Sequence, residues 1–93
     1  MAFTVELPGA LEPFADGRAT LHFDERCATV GAALGLVGTA YPGVRDRVMD
    51  ERGDLRVHVN VFVDGENSRF LSGLATPVHE RSTIVILPAV SGG

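Results

Sequence analysis

The chain contains no lysine and no tryptophan, and it has one cysteine, Cys27, and one tyrosine, Tyr41. A single cysteine excludes an internal disulfide framework. With five phenylalanines as nearly the whole aromatic complement, the core has to be built from aliphatic side chains. No apolar run approaches the roughly 18 residues that a membrane-spanning helix needs, and no charged-then-apolar leader opens the sequence. These absences point to a cytoplasmic protein with no membrane partner. Basic excess is missing as well: twelve Asp and Glu against eight Arg leave a formal net charge of −4. Nucleic acid is therefore not expected as a partner, because it wants a cationic stripe.

All the basic side chains are guanidinium groups: Arg18, Arg26, Arg45, Arg47, Arg52, Arg56, Arg69 and Arg81. GC-rich coding suffices to explain the bias, and a chemical consequence holds whatever its cause. A guanidinium stays protonated and is a poor acyl acceptor, whereas a lysine amine can act as a nucleophile. An activated carboxylate at the C-terminus would find no side-chain amine on its own chain.

What is present fits one small domain. Ninety-three residues allow a single modest core, and 45% hydrophobic with 22% charged residues is ordinary for a folded chain. "AFTVELP" (Ala2–Pro8) alternates Phe3, Val5 and Leu7 against Thr4 and Glu6, the period of a half-buried strand. "RATLHF" (Arg18–Phe23) alternates again, and the two runs predict an antiparallel hairpin with a long, irregular turn. In "ATVGAALGLVGTAYPG" the period becomes helical, with Val30, Ala33, Leu34 and Val37 on one face, Thr29 as N-cap and Pro42-Gly43 as the stop. Gly31, Gly35 and Gly38 weaken that helix, so packing has to hold it. "VRDRVMDERGD" (Val44–Asp54) predicts a short helical turn and a loop.

"LRVHVNVFVDGE" is the strongest strand signal, with Val57, Val59, Val61 and Val63 on one face and Arg56, His58, Asn60 and Phe62 on the other. Asp64-Gly65 is a hairpin turn into a short strand, "NSRFL", and "SGLATPVHERS" is a loop with a turn of helix. The last strand, "STIVILP" (Ser82–Pro88), is apolar on both faces: Ile84 and Ile86 on one, Val85 and Leu87 on the other. One covering helix buries only one of these sets. The other set, joined by Phe62, is a candidate docking surface. The order β-β-α-β-β-β fits an α+β ubiquitin-like roll: a mixed sheet of about five strands with one main helix. Other small α+β folds share that periodicity.

Few residues offer chemistry of their own. His22, His58 and His79 lack metal-site spacing. Asp24-Glu25, Asp50-Glu51 and Glu80 flank turns and read as solvated charge, and Cys27 has no visible histidine partner. The glycines match neither a phosphate-binding loop nor a dinucleotide fingerprint. No catalytic residue, bound cofactor or metal is expected.

The ending "LPAVSGG" is the remaining feature. Six residues from Pro88 could reach roughly 20 Å when extended, and Pro88 restrains φ at the base. Gly92 and Gly93 fit a slot too narrow for any side chain, and an activated glycine has no stereocentre to lose. These properties suit a carboxylate delivered into another protein's ATP site. A loose, inert chain end is the competing reading.

"VNVFVDGENSRFLSGLATPV" followed by "TIVILPAVSGG" resembles the ubiquitin-like sulfur carriers of the ThiS/MoaD superfamily, with the nearest likeness to the CysO-like branch associated with cysteine biosynthesis. The likeness spans nearly the whole chain and is most specific in "ILPAVSGG". It implies a β-grasp domain over residues 1–87 and an extended sulfur-carrying tail over 88–93. It also implies that an E1-like adenylating enzyme, using ATP, joins the Gly93 carboxylate to AMP. A sulfur donor or sulfurtransferase then leaves a thiocarboxylate, which a sulfur-acceptor synthase consumes. On that reading Gly93 carries the sulfur, while Gly92, Ser91, Val90 and Ala89 give access and contact the partner. Phe62, Val85 and Leu87 dock it. The chain departs from its relatives at "HERS" (His79–Ser82), where an acidic, glycine-containing turn is usual. The alternatives are a ubiquitin-like protein modifier, the small subunit of a molybdopterin synthase, and a plain interaction domain.

Overall fold

The computed structural model describes residues 2–88. Five strands, β1 (Phe3–Glu6), β2 (Thr20–Phe23), β3 (Val59–Val63), β4 (Glu66–Asn67) and β5 (Ser82–Pro88), form one sheet in the order β2-β1-β5-β3-β4. The last strand in sequence is thus the central one. It runs parallel to β1, with Val5 opposite Ile84, and antiparallel to β3, with Val61 opposite Ile86. A central strand has both edges paired and one face under the helical layer, which explains the dense apolar run read in "STIVILP". Ile84 and Ile86 are fully buried, together with Val5, Val61 and Leu21. Phe3 and Phe23 stack across β1 and β2 with ring centroids 4.9 Å apart.

The expected β1–β2 hairpin is present, and its irregular turn is a 3-10 segment, Gly9–Ala15, that ends on Asp16 and Gly17, both at positive φ. The second turn expectation also holds. Asp64 (φ 50°) and Gly65 (φ 90°) form a two-residue loop between Val63 and Glu66, as a type I′ hairpin requires.

Helix α1 (Val30–Ala40) starts where the sequence predicts, with Thr29 Oγ1 accepting from the Ala32 N–H at 3.2 Å. Its buried face is Val30, Ala33, Leu34 and Val37. Pro42-Gly43 does end this helix, but Pro42 also begins a second one, α2 (Pro42–Val48), where a short helical turn was expected. A fixed φ near −65° suits the first helical position as well as it forbids the interior. Gly38 lets α2 approach: a Cβ there would collide with the Arg45 side chain, including its Cβ at 3.1 Å. Beyond α2, the Asp50 carboxylate accepts from the Arg52 and Asp54 backbone N–H groups at 2.9 and 3.0 Å. The Asp54 hydrogen bond is the chief cause holding the Asp50 pKa below its ordinary value, with Arg52 and Arg56 adding to it.

Two strand expectations are corrected. The third strand begins at Val59, so Val57 and His58 lie in a turn, and Val57 is 75% exposed instead of facing the core. Leu55 pairs instead with Met49, and the Arg56 N–H donates to Val48 O at 3.0 Å, which draws this segment toward α2. "NSRFL" is not a strand. Pairing stops at Asn67, whose side chain accepts from the Arg69 N–H at 3.0 Å and caps a 3-10 turn, Ser68–Phe70.

Gly35 occupies the interior of α1 with open space around its Cβ position. Gly35→Ala should therefore stabilise the fold by about 0.5–1 kcal/mol, read by guanidinium denaturation. Gly38→Ala should instead destabilise it, because Arg45 has to move. Equal effects from both substitutions would contradict this packing.

Candidate functional site

Alternation along β5 sets the geometry of the candidate site. With Ile84 and Ile86 turned inward, Val85 and Leu87 emerge on the opposite face of the sheet. Across the β3 ladder Phe62 stands opposite Val85, and Asn60 opposite Leu87. Cross-strand partners share a face, so these four side chains form one patch. Val85 and Phe62 are half-buried and Leu87 is 41% exposed. The three apolar residues expected to form a docking surface are thus brought together. Glu6, opposite Val85 on β1, borders the patch on one side.

The start of β5, and the start of β3 beside its end, are tied to side chains that sequence reasoning missed. At its start, the Asp64 carboxylate accepts from Ser82 Oγ at 2.8 Å and from the Thr83 N–H at 2.9 Å, while the His79 N–H donates to Ser82 Oγ at 2.9 Å. Residue 81 enters this turn at φ 67°, a left-handed conformation taken here by Arg81. Beside its end, Arg69 Nη2 donates to the carbonyls of Arg56 (2.8 Å) and Val59 (2.7 Å), and Nε donates to Asn60 Oδ1 (3.2 Å). Val59 pairs with Pro88, the last residue of β5. Sequence gave a hint of the first tie alone, since an Asp in a turn commonly bonds nearby backbone. Ala89, Val90, Ser91, Gly92 and Gly93, the expected tail contacts and sulfur-carrying residue, lie outside the described residues.

The titratable groups stay dispersed. His22 sits beside Thr4 on β1–β2, with Nδ1 and Oγ1 3.4 Å apart, and His58 lies in the turn before β3. His79 lies at the far end of β5 and shares a cavity of about 300 Å³ with Cys27, Arg26 and Glu80. That juxtaposition was not expected. No hydrogen bond joins the thiol to His79 among the described residues, and burial pushes the Cys27 thiol up from its ordinary pKa, away from the nucleophilic thiolate. Among the described residues, no three His, Cys, Asp or Glu side chains could hold a metal ion. No helix among them is long and apolar enough to cross a membrane.

A mixed five-stranded sheet, crossed by α1 and centred on its C-terminal strand, defines a ubiquitin-like β-grasp domain. The chain belongs to the ThiS family, whose model matches residues 5–93. It is homologous to the sulfur carrier protein CysO of Mycobacterium tuberculosis, with 35% identity over 95 residues and full coverage of both chains. The crystal structure of the Amycolatopsis orientalis BexX/CysO complex superposes with a TM-score of 0.87 at 34% identity, covering 99% of this chain and 100% of that one. Small archaeal modifier protein 1 of Haloferax volcanii is 38% identical over 78 residues, 83% of this chain and 85% of that protein.

The tie at the start of β5 gives a stability prediction. Asp64→Ala removes two hydrogen bonds and places alanine at positive φ, so it should cost about 2–3 kcal/mol. Asp64→Asn tolerates the left-handed conformation and keeps an acceptor, and it should cost less than half as much. Denaturant midpoints of the two variants measure the difference.

Proposed function

We propose that the chain is a sulfur carrier whose Gly93 carboxylate is the working group. A carboxylate oxygen attacks the α-phosphorus of ATP on an E1-like adenylating enzyme, releasing pyrophosphate and forming acyl-AMP. Sulfide, released by a donor or sulfurtransferase, then attacks the carbonyl carbon. AMP leaves with the bonding pair, and the sulfur-borne proton passes to solvent, so that a thiocarboxylate remains. An acceptor synthase draws the sulfur from it for cysteine or another sulfur-containing metabolite. The chain is a co-substrate in the cytoplasm, holding no cofactor, and its partners supply the catalysis.

The observation that carries this reading is full-length homology to CysO sulfur carriers in a chain whose central strand leads directly into "AVSGG". β3 pairs with the central strand as far as Pro88, the residue before that ending, and the Phe62–Val85–Leu87 patch beside it offers the partner an apolar face. A relative solved in complex with BexX supports a protein that works by docking. Homology to a small archaeal modifier protein supports a second reading, conjugation of Gly93 to lysines of other proteins. That reading predicts higher-mass adducts in cell extracts, where the carrier reading predicts none.

ATP–pyrophosphate exchange by the adenylating enzyme tests the proposal. Deleting Gly92 and Gly93 should abolish exchange and leave the melting temperature unchanged, since two residues without side chains have little apolar area to bury. Val85→Asp should raise the KM for the carrier about tenfold or more by putting a charge in the docking patch. Exchange that survives the deletion would refute the reading.

A further inference from the structure

Net charge gives a misleading picture of the surface where the tail departs. Pro8, Leu11, Arg47, His58, Val59 and Pro88 line a groove of about 180 Å³ at the end of β5. Ile86 and Leu87 line it as well, so its lining is largely apolar. Arg47 stands at its rim, held flat with its guanidinium carbon 3.5 Å from the centroid of the Phe14 ring and Nη1 donating to Gly43 O at 3.2 Å. Arg69 lies beyond Val59, fixed by the carbonyls of Arg56 and Val59. Among the described residues, neither guanidinium has a carboxylate within 4.0 Å. The only ion pair among the described residues, Arg26–Glu80 at 3.8 Å, sits at the opposite end of β5. The acids of adjoining elements, Glu6, Glu12 and Asp46, pair with neither arginine.

Arg47 at the groove's rim and Arg69 on the carbonyl of Val59, the residue paired with Pro88, are therefore held in place by neutral groups near the end of β5. Fixing them on carbonyls and a ring restricts their geometry and leaves their charge uncompensated, the condition in which a guanidinium recognises an incoming carboxylate most effectively. We infer that this collar docks an acidic rim of the adenylating enzyme, around the mouth of the channel that takes the tail, with one apolar side chain of that rim entering the groove. The inference rests on the proposed function and names the partner's chemistry at a second contact, which adjoins the Phe62–Val85–Leu87 face at Leu87. Local positive charge on a chain of net charge −4 also orients the encounter, since the tail end is the part an acidic rim attracts.

The test is the KM for the carrier in ATP–pyrophosphate exchange, measured at low and high ionic strength. Arg47→Glu should raise KM about tenfold at low salt with kcat unchanged, and the difference should shrink as salt screens it. Arg47→Lys, which keeps the charge, should stay within about threefold of the unsubstituted chain. Arg26→Glu makes the same charge change at the other end of β5 and should have no effect; melting temperatures establish that all three variants fold. Equal KM shifts from Arg47→Glu and Arg26→Glu, or no shift from either, would overturn the collar. No exchange by the unsubstituted chain is a different failure: it removes the proposed function, and the collar falls with it.

Discussion

Burial of Ile84 and Ile86 between β1 and β3 is the constraint on which the rest of the molecule depends. A strand of period two that hides these side chains under α1 and α2 has no choice about the others: Val85 and Leu87 must face outward. Placing that strand at the sheet's centre pairs both its edges as far as Val85, and β3 alone holds it from there to Pro88. The core and the proposed docking face are thus alternate residues of one strand, and a one-residue slip in register would exchange them.

That arrangement divides labour along the strand. At the start of β5, Asp64 binds Ser82 and Thr83 and makes the neighbouring hairpin part of the same rigid body. At its end, Arg69 fixes the turn before β3, against which Pro88 lies. A carrier has to present its tail to more than one partner in turn, and a rigid departure point serves each of them. The lysine-free surface adds a chemical safeguard on this account, since an acyl adenylate at Gly93 would meet no side-chain amine on its own chain.

The parts of the fold legible in the sequence were those fixed by short-range rules. Period-two alternation gave β1, β2 and β5 and the identities of Val85, Leu87 and Phe62 as outward apolar residues. Thr29 marked the start of α1, and Asp64-Gly65 marked the hairpin. The errors came from distant partners. Val57 continues the alternation of Val59, Val61 and Val63, but Arg56 is drawn toward Val48, and pattern alone cannot see that bond. Asn67 reads equally as a strand residue and as a cap. Pro42 reads as a stop, although the same fixed φ starts α2. His79 and Cys27 come together because Ala2 and Arg81, at the starts of β1 and β5, are joined across the parallel ladder by the Arg81 N–H to Ala2 O bond at 2.7 Å. The full-length likeness to sulfur carriers was legible mainly through the ending, whose proposed chemistry rests on Gly93 more than on any packed side chain.

The most direct measurement is mass spectrometry of the peptide Ser82–Gly93, released by trypsin after Arg81. The protein would first be incubated with ATP, sulfide and the adenylating enzyme, then treated with a thiol alkylator. This peptide contains neither cysteine nor methionine, so alkylation on it reports sulfur at the C-terminal carboxyl group and nothing else. The account predicts an alkylated Ser82–Gly93 peptide that disappears when ATP is omitted. A peptide that stays unmodified while the enzyme turns over ATP and pyrophosphate would contradict it.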